Sequence, residues 1–140
     1  MKKIDNYIHC LEVLAKADFR KAAEDEIYRT GIVGQFNLTF ELAWKALQEV
    51  LRLHGVAGAE TGSPREILQM AYKVGFLSDQ EVWLLILKKR NSAVHLYNEE
   101  EIDQLVLLIQ ERFIPAFQKL AETLKEKSEE IEGTGQEEPK

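Results

Sequence analysis

One cysteine, three prolines and no long apolar run characterise this 140-residue chain. With Cys10 alone, no intrachain disulfide can form, and no Cys/His cluster has the spacing of a structural zinc site. Cys10 reads as a small apolar helix residue. No stretch approaches the length of a membrane span. The N-terminal "MKKIDNYIHCLEVLAK" is amphipathic and lacks the apolar core and cleavage site of a signal peptide. The expected location is therefore cytoplasmic and soluble, with no membrane partner. A basic excess is also missing. The formal net charge is -6, and residues 126–140 hold six glutamates against two lysines, a local balance of -4 that leaves -2 on the other 125 residues. Duplex DNA binding needs a basic face, which this balance excludes, although a small local basic site remains open.

What the chain does have is helical periodicity. Its length suits one domain with a core that needs neither disulfide nor metal. Apolar residues recur at spacings of three and four nearly throughout. A first helix is expected from Lys3 to Lys21, with Ile4, Ile8, Leu11, Leu14 and Ala15 inward. A long second helix runs from Ile27 to His54 on the stripe Phe36, Phe40, Ala43, Leu47 and Val50, and Gly55 stops it. Three starts then share one chemistry. "SPRE" offers Ser63 as N-cap with Glu66 three residues on, "SDQE" offers Ser78 with Glu81, and "NEEE" offers Asn98 before three glutamates. They open a short helix (Pro64 to Val74), a fourth (Asp79 to His95) and a fifth (Glu99 to Lys127), which Pro115 should kink or divide. Trp44 and Trp83 lie on apolar stripes and read as core residues. The expected fold is all-α, an antiparallel four-helix-type bundle with one additional short helix, over residues 1–126. Residues 127–140, "KSEEIEGTGQEEPK", have almost no apolar content and are expected to form an acidic disordered tail. The fourth helix is apolar on nearly all sides at "VWLLIL", as in a central helix or one covered on its outer side by a second subunit.

That greasy segment ends in "RNSAVHLY", residues 90–97. At about 100° per residue, Arg90 and Tyr97 fall on one side of a continued helix, while Asn91 and His95 pair on another, with His95 about 140° from Arg90. Asn98 caps the next helix, so the motif sits at a helix end, where the backbone can turn. Such residues can simply tie helices together through orphan carbonyls. They also suit a nucleotide or RNA phosphate. Arginine offers a fork of donors, histidine titrates near neutrality, and tyrosine offers a hydroxyl and a flat face.

The motif matches Arg-x4-His-x-Tyr and resembles that of HEPN domains, including the asparagine after the arginine. "FNLTFELAWKALQEVLRLHG", "SPREILQMAYKVGFL" and "RNSAVHLY", in that order, resemble the nucleotidyltransferase substrate-binding protein family. The resemblance spans Asp5 to Leu124 and finds no counterpart for the acidic tail. It implies a HEPN-type bundle that forms a homodimer, with the motifs facing a cleft near the two-fold axis. It also implies a partner, a minimal nucleotidyltransferase encoded nearby, which holds the catalytic carboxylates and the metal. This chain has no Gly-Ser and paired-aspartate signature of its own and calls for no cofactor or metal. In related toxin–antitoxin pairs, the HEPN member cleaves RNA and the partner silences it by adenylylating the motif tyrosine, here Tyr97.

Three functions follow. In the first, the chain is a nucleotide-binding subunit in which Arg90, Asn91, His95 and Tyr97 hold nucleotide or phosphate. In the second it is a metal-independent endoribonuclease toxin, with His95 as general acid or base and Arg90 stabilising the phosphate. In the third it is a structural adaptor. His9 and His54 lie outside the motif, His54 being placed to meet a helix dipole. Glu41 and Lys45 read as a surface pair, or, because they flank Trp44 in a family-like block, as contributors to the cleft.

Overall fold

Asp18 divides what the apolar spacing joins. In the computed structural model, which describes residues 1–96 and 98–135 (the side chains of 133–135 excepted), the expected first helix is two. These are α1 (Lys2–Ala15) and α2 (Phe19–Glu24). The Asp18 carboxylate accepts from the backbone N–H groups of Arg20 and Lys21 at 3.0 and 3.2 Å. Its own N–H donates to the Tyr28 hydroxyl at 2.7 Å. A good N-cap thus outweighs a weak apolar stripe. The buried face of α1 is Ile4, Tyr7, Cys10, Leu11 and Leu14. Ala15, expected inside, is exposed.

Helix α3 (Glu26–Leu53) starts at Asp25, whose side chain accepts from Tyr28 N–H at 3.1 Å. It buries Phe36, Phe40, Ala43, Leu47 and Val50, as the spacing requires. Gly55, at φ +74°, closes it. The N–H of Gly55 reaches the Arg52 carbonyl and that of Val56 reaches Leu51, both at 3.0 Å, a Schellman ending that needs a left-handed residue. Helix α4 (Pro64–Lys73) opens on the expected capping box, with Ser63 and Glu66 bonded reciprocally.

Helix α5 (Gln80–Ser92) is capped by Asp79, which accepts from Val82 N–H at 3.0 Å, and not by Ser78. The cap is one residue later than expected. A 3-10 turn, Ala93–His95, finishes it. Asn98 then caps α6 (Glu99–Leu108) through Glu101 N–H at 2.8 Å. The expected fifth helix is divided just before Pro115. A π-helical turn, Ile109–Phe113, precedes it and leads into α7 (Ile114–Gly135). A wider turn is a low-cost place for a residue that has no N–H to give. Helix α7 passes the boundary expected at residue 126, because its next turn has tertiary partners. His54 Nε2–H donates to the Lys127 carbonyl at 3.0 Å. The Lys127 ammonium lies 5.1 Å from the centre of the Phe76 ring, and Ser128 is buried. Polar composition alone underestimated this turn. The rest of the expected tail, residues 136–140, lies outside the described residues.

No strand occurs among the described residues, and the fold is an all-α bundle. Helix α3 packs against every other α-helix. Phe117 of α7 is the meeting point. Its ring lies 6.2 Å from Phe36 of α3, 6.4 Å from Tyr7 of α1 and 5.5 Å from Trp83 of α5. The Tyr7 hydroxyl donates to the Phe117 carbonyl. Burial raises the Tyr7 pKa well above its ordinary value, so this phenol stays a donor.

Candidate functional site

The last turns of α5 carry two different surfaces. Trp83 and Leu87 are buried, and Arg90 continues their stripe toward α3. Its Nη2 meets Glu41 Oε2 at 2.7 Å, with both side chains about one-third exposed. The guanidinium lies 5.6 Å from the centre of the Phe40 ring. Glu41 is shared further. Its Oε2 accepts from Trp44 Nε1–H at 3.2 Å, and its Oε1 pairs with the Lys45 ammonium at 3.2 Å. Partial burial acts to raise the Glu41 pKa. The bonds from Trp44 and Lys45 and the charges of Arg90 and Lys45 together outweigh it and hold the carboxyl below its ordinary value. Glu41 and Lys45 form the (i, i+4) pair that their spacing suggests, and Glu41 also binds the motif residue Arg90, although neither lines the groove described next. Trp44 is half-buried, not enclosed as expected.

The other surface follows the spacing Leu84, Lys88, Asn91, His95. These residues line an open groove of about 620 Å³, together with Leu85, Ser92, Glu81 and Arg65 from the first turn of α4. His95 is exposed at the 3-10 turn. Arg90 is not among the lining residues, but its Nη1 donates to Asn91 Oδ1 at 3.3 Å, which links the two surfaces. The structure therefore brings Asn91 and His95 together and sets Arg90 to one side, as the angles along the helix require. Tyr97, the fourth motif residue, lies outside the described residues.

Sequence reasoning missed Arg65 and Lys88. Neither takes part in an ion pair among the described residues, so both cations are available to an anion. Lys88 was legible, being on the same helix face as Asn91 and His95. Arg65 comes from a helix whose placement only packing decides. Of the other histidines, His9 is exposed, and His54 clasps α7. No group of His, Cys, Asp and Glu among the described residues could hold a metal ion, and no helix there is long and apolar enough to cross a membrane.

The fold is thus an all-α bundle with an open groove at the end of α5 that carries the cations Arg65 and Lys88 and the carboxylate Glu81. The chain belongs to the family described as nucleotidyltransferase substrate binding protein like, whose model matches residues 2–126. The resemblance carried by the three sequence blocks is thereby shown. Among solved structures, the Haemophilus influenzae protein HI0074 is described as revealing the fold of a substrate binding domain of a nucleotidyltransferase. It is similar with a TM-score of 0.76 at 19% identity, over 87% of this chain and 98% of that one. A protein of Thermus thermophilus is similar with a TM-score of 0.62 at 27% identity, over 88% of this chain and 96% of that one. No curated protein matches the chain by sequence.

Proposed function

We propose that this chain is the nucleotide-binding subunit of a two-protein system and acts with a separate minimal nucleotidyltransferase. The observation that carries this reading is the groove at the end of α5, where Lys88 and Arg65 stand without ion-pair partners among the described residues, beside Asn91 and His95. Phosphate oxygens would lie between the two cations, by charge-assisted bonds. Asn91 and His95 would bind the sugar or base. Arg90, held by Glu41 outside the groove, positions Asn91 through the bond to its Oδ1.

The test is calorimetric titration of ATP into the purified chain, alone and with the nucleotidyltransferase encoded beside it. Each of Lys88→Ala and Arg65→Ala should weaken binding about tenfold or more, the value of one charged hydrogen bond. Absence of binding in both settings overturns the reading. Cleavage of RNA by the chain alone, lost in His95→Ala, would replace it with the endoribonuclease reading.

A further inference from the structure

A second cavity lies at the opposite end of α5, lined by none of the described motif residues. It has a volume of about 490 Å³ and opens between the turn joining α4 to α5 and the outer ridge of α7. That volume is within the range of small-molecule sites. Its apolar wall is Leu77, Val82 and Leu120, which are all buried, and Trp83, 3% exposed. Its polar rim carries Arg112 and Lys119 together with Ser78, Thr123 and Asp79, whose carboxylate is engaged as the cap of α5 by Val82 N–H, so the rim holds two cations against one acid. Neither cation takes part in an ion pair among the described residues.

Trp83 supplies an independent observation. A buried indole N–H ordinarily finds an acceptor. Trp44 finds Glu41, but no acceptor for the Trp83 N–H occurs among the described residues. This nitrogen is also not an enclosed orphan; the one such atom among the described residues is Asn37 Oδ1. The N–H therefore keeps an outlet, and the space that Trp83 lines is this cavity. The backbone supports the same site. Arg112 belongs to the π-helical turn and Pro115 follows it, and both line the opening. Turns of this type recur at functional sites.

We propose that this cavity binds a small organic anion: a compact apolar body against Leu77, Val82 and Leu120, and an acidic group between Arg112 and Lys119 that also accepts from Trp83 Nε1–H. The apolar wall selects against a bare inorganic anion, and the paired cations select against a neutral molecule of the same shape. The site is separate from the groove at the other end of α5 and does not depend on what that groove binds.

Naphthalene-1-sulfonate has the stated chemistry and serves as probe. The two tryptophans give two indole N–H resonances, which Trp44→Phe assigns. Titration should move the Trp83 resonance saturably and leave that of Trp44 in place. Arg112→Gln and Lys119→Gln, both at exposed positions, should each weaken binding about tenfold, as loss of a charged hydrogen bond does. Naphthalene-1-methanol, neutral, and sodium sulfate, without an apolar body, should leave the resonance unmoved at the same concentrations. A Trp83 resonance that does not respond, that responds equally to the neutral analogue, or whose response survives both substitutions overturns the proposal.

Discussion

Glu41 shows how a single side chain joins stability to the site. Its carboxyl is held below the ordinary value against the effect of its own partial burial. A carboxyl with a depressed folded pKa stabilises the fold at pH above its unfolded pKa, and that contribution fades as pH falls through the folded value. Wild type should therefore melt above Glu41→Gln at neutral pH. The gap should close in acid, below the usual carboxylate range, as Glu41 takes a proton and releases Arg90 and Lys45. A gap in melting temperature that stays constant down to strong acid would show that Glu41 acts through shape, not charge. At this scale the sequence was legible where one helix decides the matter. The angles along α5 turn Arg90 away from the face of Asn91 and His95, and in the structure Arg90 lies outside their groove and touches it only through the bond to Asn91 Oδ1. It was illegible where two helices meet. No spacing within α4 shows that Arg65 will face Lys88, and Glu41 came into view only through the family-like block around Trp44.

Among the elements, capping decided most boundaries. Ser63 with Glu66 and Asn98 with Glu101 behave as their sequences read. "SD" before α5 offers two capping residues in a row, and local sequence cannot choose between them. The structure chooses Asp79. Asp79→Ala should lower unfolding free energy by about 1 kcal/mol, while Ser78→Ala should stay within about 0.5 kcal/mol. Urea unfolding of the two variants checks the assignment, and the reverse order would refute it. The break between α1 and α2 has the same origin. The apolar pattern runs through Asp18 without a gap, and the capping bonds of its carboxylate to Arg20 and Lys21 end α1 and start α2 there. The far end of α7 failed in the opposite sense. Its turn at Lys127 is polar, and it is held by His54 and Phe76, residues distant in sequence.

For the molecule as a whole, the periodicity was enough to establish an all-α bundle, but it offered the apolar α5 as a central helix where packing puts α3. It was not enough to show which faces stay open. Leu84 and Leu85 line the groove on the outer side of α5, and Val94, just beyond, is 72% exposed. These residues motivate the expectation of a homodimer. Light scattering should return twice the 16.1 kDa of the chain, and Val94→Glu should shift the population toward single chains. A wild-type monomer at micromolar concentration would refute it. The π-helical turn carries a different consequence. Leu105, Ile109, Phe113 and Phe117 are buried at every fourth position, and at about 100° per residue such a series creeps around a regular helix by about 40° per step. The wider turn at Ile109–Phe113 absorbs that creep by taking in an additional residue, so α6 and α7 keep different phases along one continuous rod. Such a joint works as a counting error that the fold has already accommodated. It is the place where the rod can lengthen or shorten by a residue and still return the same faces to its neighbours, whereas elsewhere in α6 or α7 the same edit would turn the buried stripe away from the core.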